Sequence, residues 1–336
     1  MKAAIAEAYG APLAIRDVDP PQIGTGDILV RVDACGVCAT DLKVVQGGLG
    51  ASPERLPLIP GHEITGTVAE TGAEVTSHHA GDSVAVHALF ACGTCDYCRA
   101  GEDEACPEGI PNLAGVGTDG GYAEFVRVPH DRALPLPPAL SPAEAAPLLC
   151  AGLTVYAALK NARLEPGQRL AVLGVGGLGH LAIAIGAALG AEVVAVTGSA
   201  DKRDAARELG ASAVASPGDA TPLLQERGGA HVALNTVDAP EPLLAVLPGL
   251  RRQSTIVLAT TSVGELLPIP AGLMMGLQLR IVASFFGSRE DLRELLALAV
   301  DHDIRPRTER FPLAEANTAH DRLRQNAVRF RAVLEP

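Results

Sequence analysis

The stretch that decides the fold is Leu173-Gly174-Val175-Gly176-Gly177-Leu178-Gly179. It spells G-x-G-x-x-G at Gly174, Gly176 and Gly179, with Gly177 as a further small residue. A glycine at the first position permits a tight turn. The second lets main chain come close to a pyrophosphate, and the third lets a helix sit tightly on a strand. The helix would then offer free N–H groups and its positive dipole end to phosphate. The glycines alone are weak evidence, and their surroundings strengthen it. Leu170 to Leu173 is a short apolar run suited to a buried parallel strand, Leu178 to Leu189 is helical in composition, and Glu192 to Val196 is strand-like again.

Working outward, Asp201 to Leu209 predicts a helix and Ala213 to Ala215 a strand. His231 to Asn235, Thr255 to Ala259 and Arg280 to Ala283 add three more strands. Such alternation predicts an α/β domain, a doubly wound parallel sheet wrapped by helices. The first third differs. Ile28 to Val32, Ile64 to Val68, Ser83 to His87 and Tyr122 to Val128 are short β-like runs bounded by turn residues. Between the two regions, Ala143 to Leu159 predicts a helix interrupted by Pro147 and Gly152. Toward the C-terminus come a helix, Arg289 to Val300, and a strand, Val328 to Leu334.

The end of the second strand of the parallel sheet bears on the choice of dinucleotide. An NAD site places Asp or Glu there for the ribose 2′-hydroxyl. This chain has Thr197-Gly198-Ser199, with Lys202 and Arg203 shortly after, and Asp201 in the first turn of the next helix. Hydroxyls and cations suit a 2′-phosphate, so NADP is favoured over NAD.

Cys92, Cys95, Cys98 and Cys106 form C-x2-C-x2-C-x7-C in a polar loop, a spacing that can close a tetrahedral thiolate shell around zinc. Four protein ligands leave no open position, so this site is expected to be structural. Cys38, His62 and Cys150 stand apart, and spacing alone does not join them. Two thiolates and an imidazole, if brought together, make a zinc set with one open corner.

The 336 residues are 48% apolar and 20% charged, with a formal net charge of −12. That balance supports a packed core and argues against a nucleic-acid partner or an anionic membrane surface. Met1 to Gly10 has no leader-like apolar run, and no stretch reaches the ~18 apolar residues of a membrane span. A cytoplasmic location is expected, where seven cysteines suggest metal binding or catalysis over disulfides.

Taken together, the strand before Cys38, Gly61-His62-Glu63, the four-cysteine loop, Gly120-Gly121-Tyr122-Ala123-Glu124, Cys150-Ala151-Gly152, the glycine turn and Val328-Arg329-Phe330-Arg331 resemble the zinc-containing medium-chain dehydrogenase/reductase family. The resemblance runs over nearly the whole chain. It implies a GroES-like β domain over residues 1–150 and 287–336, carrying a structural zinc lobe at about 91–107, and a Rossmann dinucleotide-binding domain over 151–286. It implies two zinc ions per chain, the catalytic one on Cys38, His62 and Cys150. It also implies reversible hydride transfer between NAD(P) and a small or medium alcohol/carbonyl pair.

By the same resemblance, Glu63 is the acid beside the metal, Asp41 orients the ligand histidine, and Thr40 takes the substrate's proton. Thr154 lies where the family contacts the nicotinamide, and Arg331 where it contacts a cofactor phosphate. Gly174, Gly176, Gly177, Gly179, Thr197, Ser199, Lys202 and Arg203 complete the dinucleotide set. Lys43 replaces the histidine that often ends the family's proton relay, and Phe330 stands where glycine is common. A homodimer or homotetramer is expected. The alternatives are a relative that reduces an activated C=C bond or acts on a specialised metabolite, and a non-catalytic nicotinamide-binding protein.

Overall fold

The computed structural model describes residues 1–49, 53–260 and 267–336. They fall into two compact units, Met1–Cys150 with Ser288–Pro336, and Ala151–Gly287.

The first unit is built on a seven-stranded sheet. Its order is Thr308–Pro312, Arg331–Glu335, Asp27–Val37, Glu63–Thr71, Ser83–Val86 and Ala133–Pro135, with Phe125–Pro129 also pairing with Asp27–Val37. All its pairings are antiparallel except that of Thr308–Pro312 with Arg331–Glu335. Along the central strand Ile28, Val30, Val32 and Ala34 are buried, while the residues between them are more open. That period-two alternation turns one face of the sheet to the core. The strand runs five residues past the predicted Val32 and ends at Val37, directly before Cys38. Its Gly36 is no stop signal. A Cβ there would lie 1.8 Å from Glu63 Oε2, so the glycine makes room for the neighbouring strand's carboxylate.

The second unit holds six parallel strands in the order Ala213–Ala215, Glu192–Val196, Arg169–Leu173, Ala230–Asn235, Leu250–Leu258, Arg280–Ala283. Numbered within the unit this is 3-2-1-4-5-6, the doubly wound order of dinucleotide-binding folds. The glycine turn leaves the carboxyl end of the strand where the winding reverses.

Several boundaries differ from expectation. The interrupted helix breaks at Cys150, not at Gly152. Pro142–Ala145 gives way to a tighter turn over Ala146–Leu149, and a fresh helix runs Ala151–Asn161 with Gly152 inside it. Pro147 lacks the N–H that would have continued the first helix. The strand expected from Tyr122 begins at Phe125, because the Tyr122 main chain bonds Pro60 and Ala4 instead. The strand expected at Thr255 begins at Leu250 and bulges before Thr255. The last strand begins at Arg331 instead of Val328. Among the described residues, no single helix is long and apolar enough to cross a membrane.

Candidate functional site

Two neighbouring strands bring the first donor cluster together. Asp27–Val37 leads directly into Cys38, and its antiparallel neighbour begins at Glu63, paired with Gly36. Cys38 and His62 therefore leave the same edge of the sheet. Arg331–Glu335 lies on the other side of Asp27–Val37, with Ala332 opposite Val37, so Arg331 reaches the same edge. The turn Ala146–Leu149 delivers Cys150. Ligand atoms of Cys38, His62, Glu63 and Cys150 all lie within 4.8 Å of one another.

Asp41 holds this cluster in shape from the first turn of helix Ala39–Val45. Its Oδ1 accepts from His62 Nδ1 at 2.8 Å and from the Gly61 N–H at 3.3 Å. Its Oδ2 accepts from the Cys38 N–H at 2.8 Å and from the Tyr122 hydroxyl at 3.3 Å. With Nδ1 donating to a carboxylate, the Nε2 lone pair faces the cluster, where Cys150 Sγ lies 3.3 Å away. Burial alone would push the His62 imidazole down, but the Asp41 carboxylate outweighs it and raises the ring well above its ordinary value. The hydrogen bond from Cys150 pulls Cys38 well below the usual thiol range, and Cys150 rises in return.

Glu63 is fully buried. Desolvation lifts its carboxyl to about 7 against the opposing pull of Arg331. Arg331 donates from Nη2 to Glu63 Oε1, while Glu63 Oε2 and Arg331 Nε find no partner. An orphaned buried carboxylate oxygen beside two sulfurs and an imidazole is what a cation site requires, and this donor set fits zinc.

Thr40 is half-buried in the first turn of the same helix as Asp41, and Lys43 lies one turn on. Tyr122 and His320 carry roles the sequence did not suggest. The Tyr122 hydroxyl lies 3.2 Å from His320 Nε2 and bonds Asp41, so both residues back the cluster. A fully buried tyrosine needs a partner for its hydroxyl, which was the available signal. Cys35 is buried with its thiol raised, chiefly by desolvation, and is not in the donor set.

The second cluster is Cys92, Cys95, Cys98 and Cys106. The short helix Asp96–Ala100 and the turn Asp103–Ala105 fold the loop back on itself. Sulfur separations are 3.5 Å for Cys95–Cys98, 3.6 Å for Cys92–Cys106 and 4.0 Å for Cys92–Cys98. A tetrahedral zinc with bonds of about 2.3 Å would set roughly 3.8 Å. The Thr94 and Cys95 N–H groups point at Cys92 Sγ and hold its thiol at about 6. This cluster also fits zinc.

In the second unit, Gly174 has φ +93 and packs under Val237, and a Cβ on Gly179 would sit 1.9 Å from the Gly174 carbonyl oxygen. A Cβ on Gly176 would meet nothing within 4 Å, leaving an open approach beside Gly177. Thr197 directly follows the strand Glu192–Val196 and is buried, and its Oγ1 accepts from the Ser199 N–H at 3.2 Å. Lys202 is buried, and Arg203 Nε has no partner. Thr154 is buried and donates to the Phe285 carbonyl at 3.5 Å.

These features define an oxidoreductase with a metal-binding β unit and a dinucleotide-type α/β unit. The family descriptions "Alcohol dehydrogenase GroES-like domain" and "Zinc-binding dehydrogenase" match residues 24–138 and 177–301. An alcohol dehydrogenase of Geobacillus stearothermophilus is 39% identical, with 100% of this chain and 99% of that one aligned. Cinnamyl alcohol dehydrogenase 2 of Oryza sativa subsp. japonica is 36% identical over 93% of this chain and 87% of that one. The solved alcohol dehydrogenase of the archaeon Aeropyrum pernix superposes with a TM-score of 0.89 at 35% identity, covering 100% of both chains. The chain belongs to the zinc-dependent medium-chain dehydrogenase/reductase family.

Proposed function

We propose that this protein catalyses reversible hydride transfer between NAD(P) and a small or medium alcohol/carbonyl pair, with a catalytic and a structural zinc per chain and NADP preferred. The observation that carries this reading is the convergence of Cys38, His62, Glu63 and Cys150 donor atoms within 4.8 Å, with Asp41 on the far nitrogen of His62. Zinc bound there supplies Lewis acidity, easing loss of the alcohol's proton or polarising a carbonyl.

The chain's own residues supply the rest. Cys38, His62 and Cys150 would hold the catalytic zinc, a three-residue set of the kind that lets the metal also take substrate. Asp41 fixes the His62 tautomer and ring plane. Glu63 keeps one oxygen toward the ligands, while Arg331 balances its charge. The Thr40 hydroxyl receives the substrate proton, and Lys43 or water passes it on. In the second unit, Gly174, Gly176, Gly177 and Gly179 cradle the pyrophosphate. Thr197, Ser199, Lys202 and Arg203 receive the 2′-phosphate, a reading supported by the lack of an acid at that strand end. Thr154 contacts the nicotinamide, and Arg331 is the cofactor-phosphate contact that the family likeness implies. The four-cysteine zinc is structural. A homodimer or homotetramer in the cytoplasm is the expected working form.

The test is a panel of alcohols and carbonyls, cinnamyl alcohol among them, run with NADPH and NADH side by side on protein whose zinc has been counted. Two zinc ions per chain, alcohol-dependent turnover and a lower KM for NADP(H) are expected. No turnover at full zinc content sinks the reading.

A further inference from the structure

The glycine turn leaves the carboxyl ends of the parallel strands. At their amino ends lies a second concavity, a cavity of about 300 Å³. Its walls include Arg163, His231, Arg251, Arg252, Thr255 and Arg280. His231 is the second residue of its strand, Arg280 the first of its own, and Arg251 and Arg252 sit on the bulge that precedes Thr255. The strand Arg169–Leu173, roughly 17 Å long at 3.3 Å per residue, separates the two ends. This cavity is distinct from the dinucleotide turn.

Its chemistry is one-sided. The whole chain carries a net charge of −12, yet four guanidinium groups line this cavity and, among the described residues, no carboxylate does. Glu192, a nearby acid, is already bonded by Arg169 and Arg227. Arg163, Arg252 and Arg280 form no ion pair among the described residues. Arg163 (φ 56) and Gln253 (φ 61) hold left-handed backbone at the rim, a strained conformation for side chains of this size.

One polar group in the wall is unsatisfied, and a second is crowded by donors. Thr255 is 1% exposed, and its Oγ1 has no hydrogen-bond partner. His231 is claimed by two donors. The Arg169 N–H lies 3.0 Å from its Nδ1, and Arg251 Nη1 lies 2.6 Å from its Nε2. A neutral imidazole has only one acceptor nitrogen. One of these contacts therefore sets donor against donor, and an anionic acceptor that drew the Arg251 guanidinium off the ring would relieve it. Desolvation and the charges of Arg251 and Arg169 push the ring below its ordinary value, which favours its neutral form.

We propose that this cavity binds a small multivalent oxyanion of the pyrophosphate class. Guanidinium forks match phosphate oxygens in pairs. The cavity exceeds what a single tetrahedral anion would fill and lies at the small end of ligand pockets. A long polyanion such as nucleic acid is disfavoured by the chain's net negative charge.

The experiment is calorimetric titration of inorganic pyrophosphate into zinc-loaded protein already saturated with its dinucleotide, so that the glycine turn is filled. One saturable site per chain is expected. The double variant Arg163→Gln/Arg280→Gln should weaken binding about tenfold or more, as loss of charge-assisted bonds does. Thr255→Val should weaken it several-fold. Zinc content, alcohol turnover and the unliganded melting temperature should stay unchanged in both, which separates a lost site from a lost fold. No saturable binding in the unmutated protein, or equal binding in variants that remain folded, overturns the proposal. Citrate binding more tightly than pyrophosphate overturns the phosphate assignment.

Discussion

Asp103→Asn tests what anchors the four-cysteine loop. Asp103 lies three residues before Cys106 and is 1% exposed. Its Oδ2 accepts from Arg132 Nη1 at 2.5 Å and from Arg289 Nε at 2.6 Å, and its Oδ1 accepts from the Arg289 N–H at 3.2 Å. Arg132 is itself wholly buried. Removing one partner of such a pair costs about 3–5 kcal/mol, because it strands the other charge. Asp131 stays 3.1 Å from Arg132 Nη2, and the amide oxygen can still accept, so the low end, about 3 kcal/mol, applies. For a unit of roughly 200 residues this lowers the melting temperature by about 6–12 °C.

The sign with pH follows from the same contacts. Burial alone would raise the Asp103 carboxyl, but His87, the Arg289 N–H, Arg132 and Arg289 hold it below its ordinary value. The folded pKa lies under the unfolded one. The stabilisation is therefore complete above the unfolded value of about 4 and is lost as pH falls through the folded one. Thermal melts followed by circular dichroism on zinc-replete protein should show a constant gap between unmutated and variant chains from pH ~8 to ~5, narrowing below ~4. A gap under about 2 °C at pH 7, or one that closes between pH ~8 and ~5, refutes the reasoning.

Four further outcomes are expected. Cys38→Ser should lose activity by orders of magnitude while the melting temperature holds, whereas Cys95→Ser should lower the melting temperature first; zinc analysis beside each melt checks the division. Asp41→Asn should weaken zinc binding about 10–100-fold in chelator competition, the usual cost of removing a carboxylate behind a ligand histidine. Gly176→Ala should melt within about 1 °C of the unmutated protein yet bind dinucleotide about tenfold more weakly, because its methyl stands where the pyrophosphate approaches. Gly179→Ala, whose Cβ meets the Gly174 carbonyl oxygen, should destabilise the second unit outright.

What the sequence made legible was local. Glu192–Val196, Ala213–Ala215 and Arg280–Ala283 form as strands with the bounds expected, since each is a short run flanked by turn residues. The four-cysteine cluster was equally legible, because all its donors lie within one loop. Cys38, His62 and Cys150 were not joined by spacing, only by likeness to a family. Their meeting depends on the pairing of Gly36 with Glu63, a relation between strands that no local pattern encodes. Arg331 sharpens the point. Family likeness alone gives it a cofactor-phosphate contact, and its guanidinium also pairs with Glu63 across the sheet, a partnership no local pattern encodes. Tyr122 and His320 were invisible for the same reason, as the bonds of the Tyr122 hydroxyl to Asp41 and to His320 span long separations along the chain. Asp41 collects four donors from Cys38, Gly61, His62 and Tyr122, so one carboxylate ties the helix, the loop before Glu63 and the tyrosine to the metal-ligand geometry. A substitution at Tyr122 or His320 should therefore reach the zinc through Asp41 without either residue touching the metal.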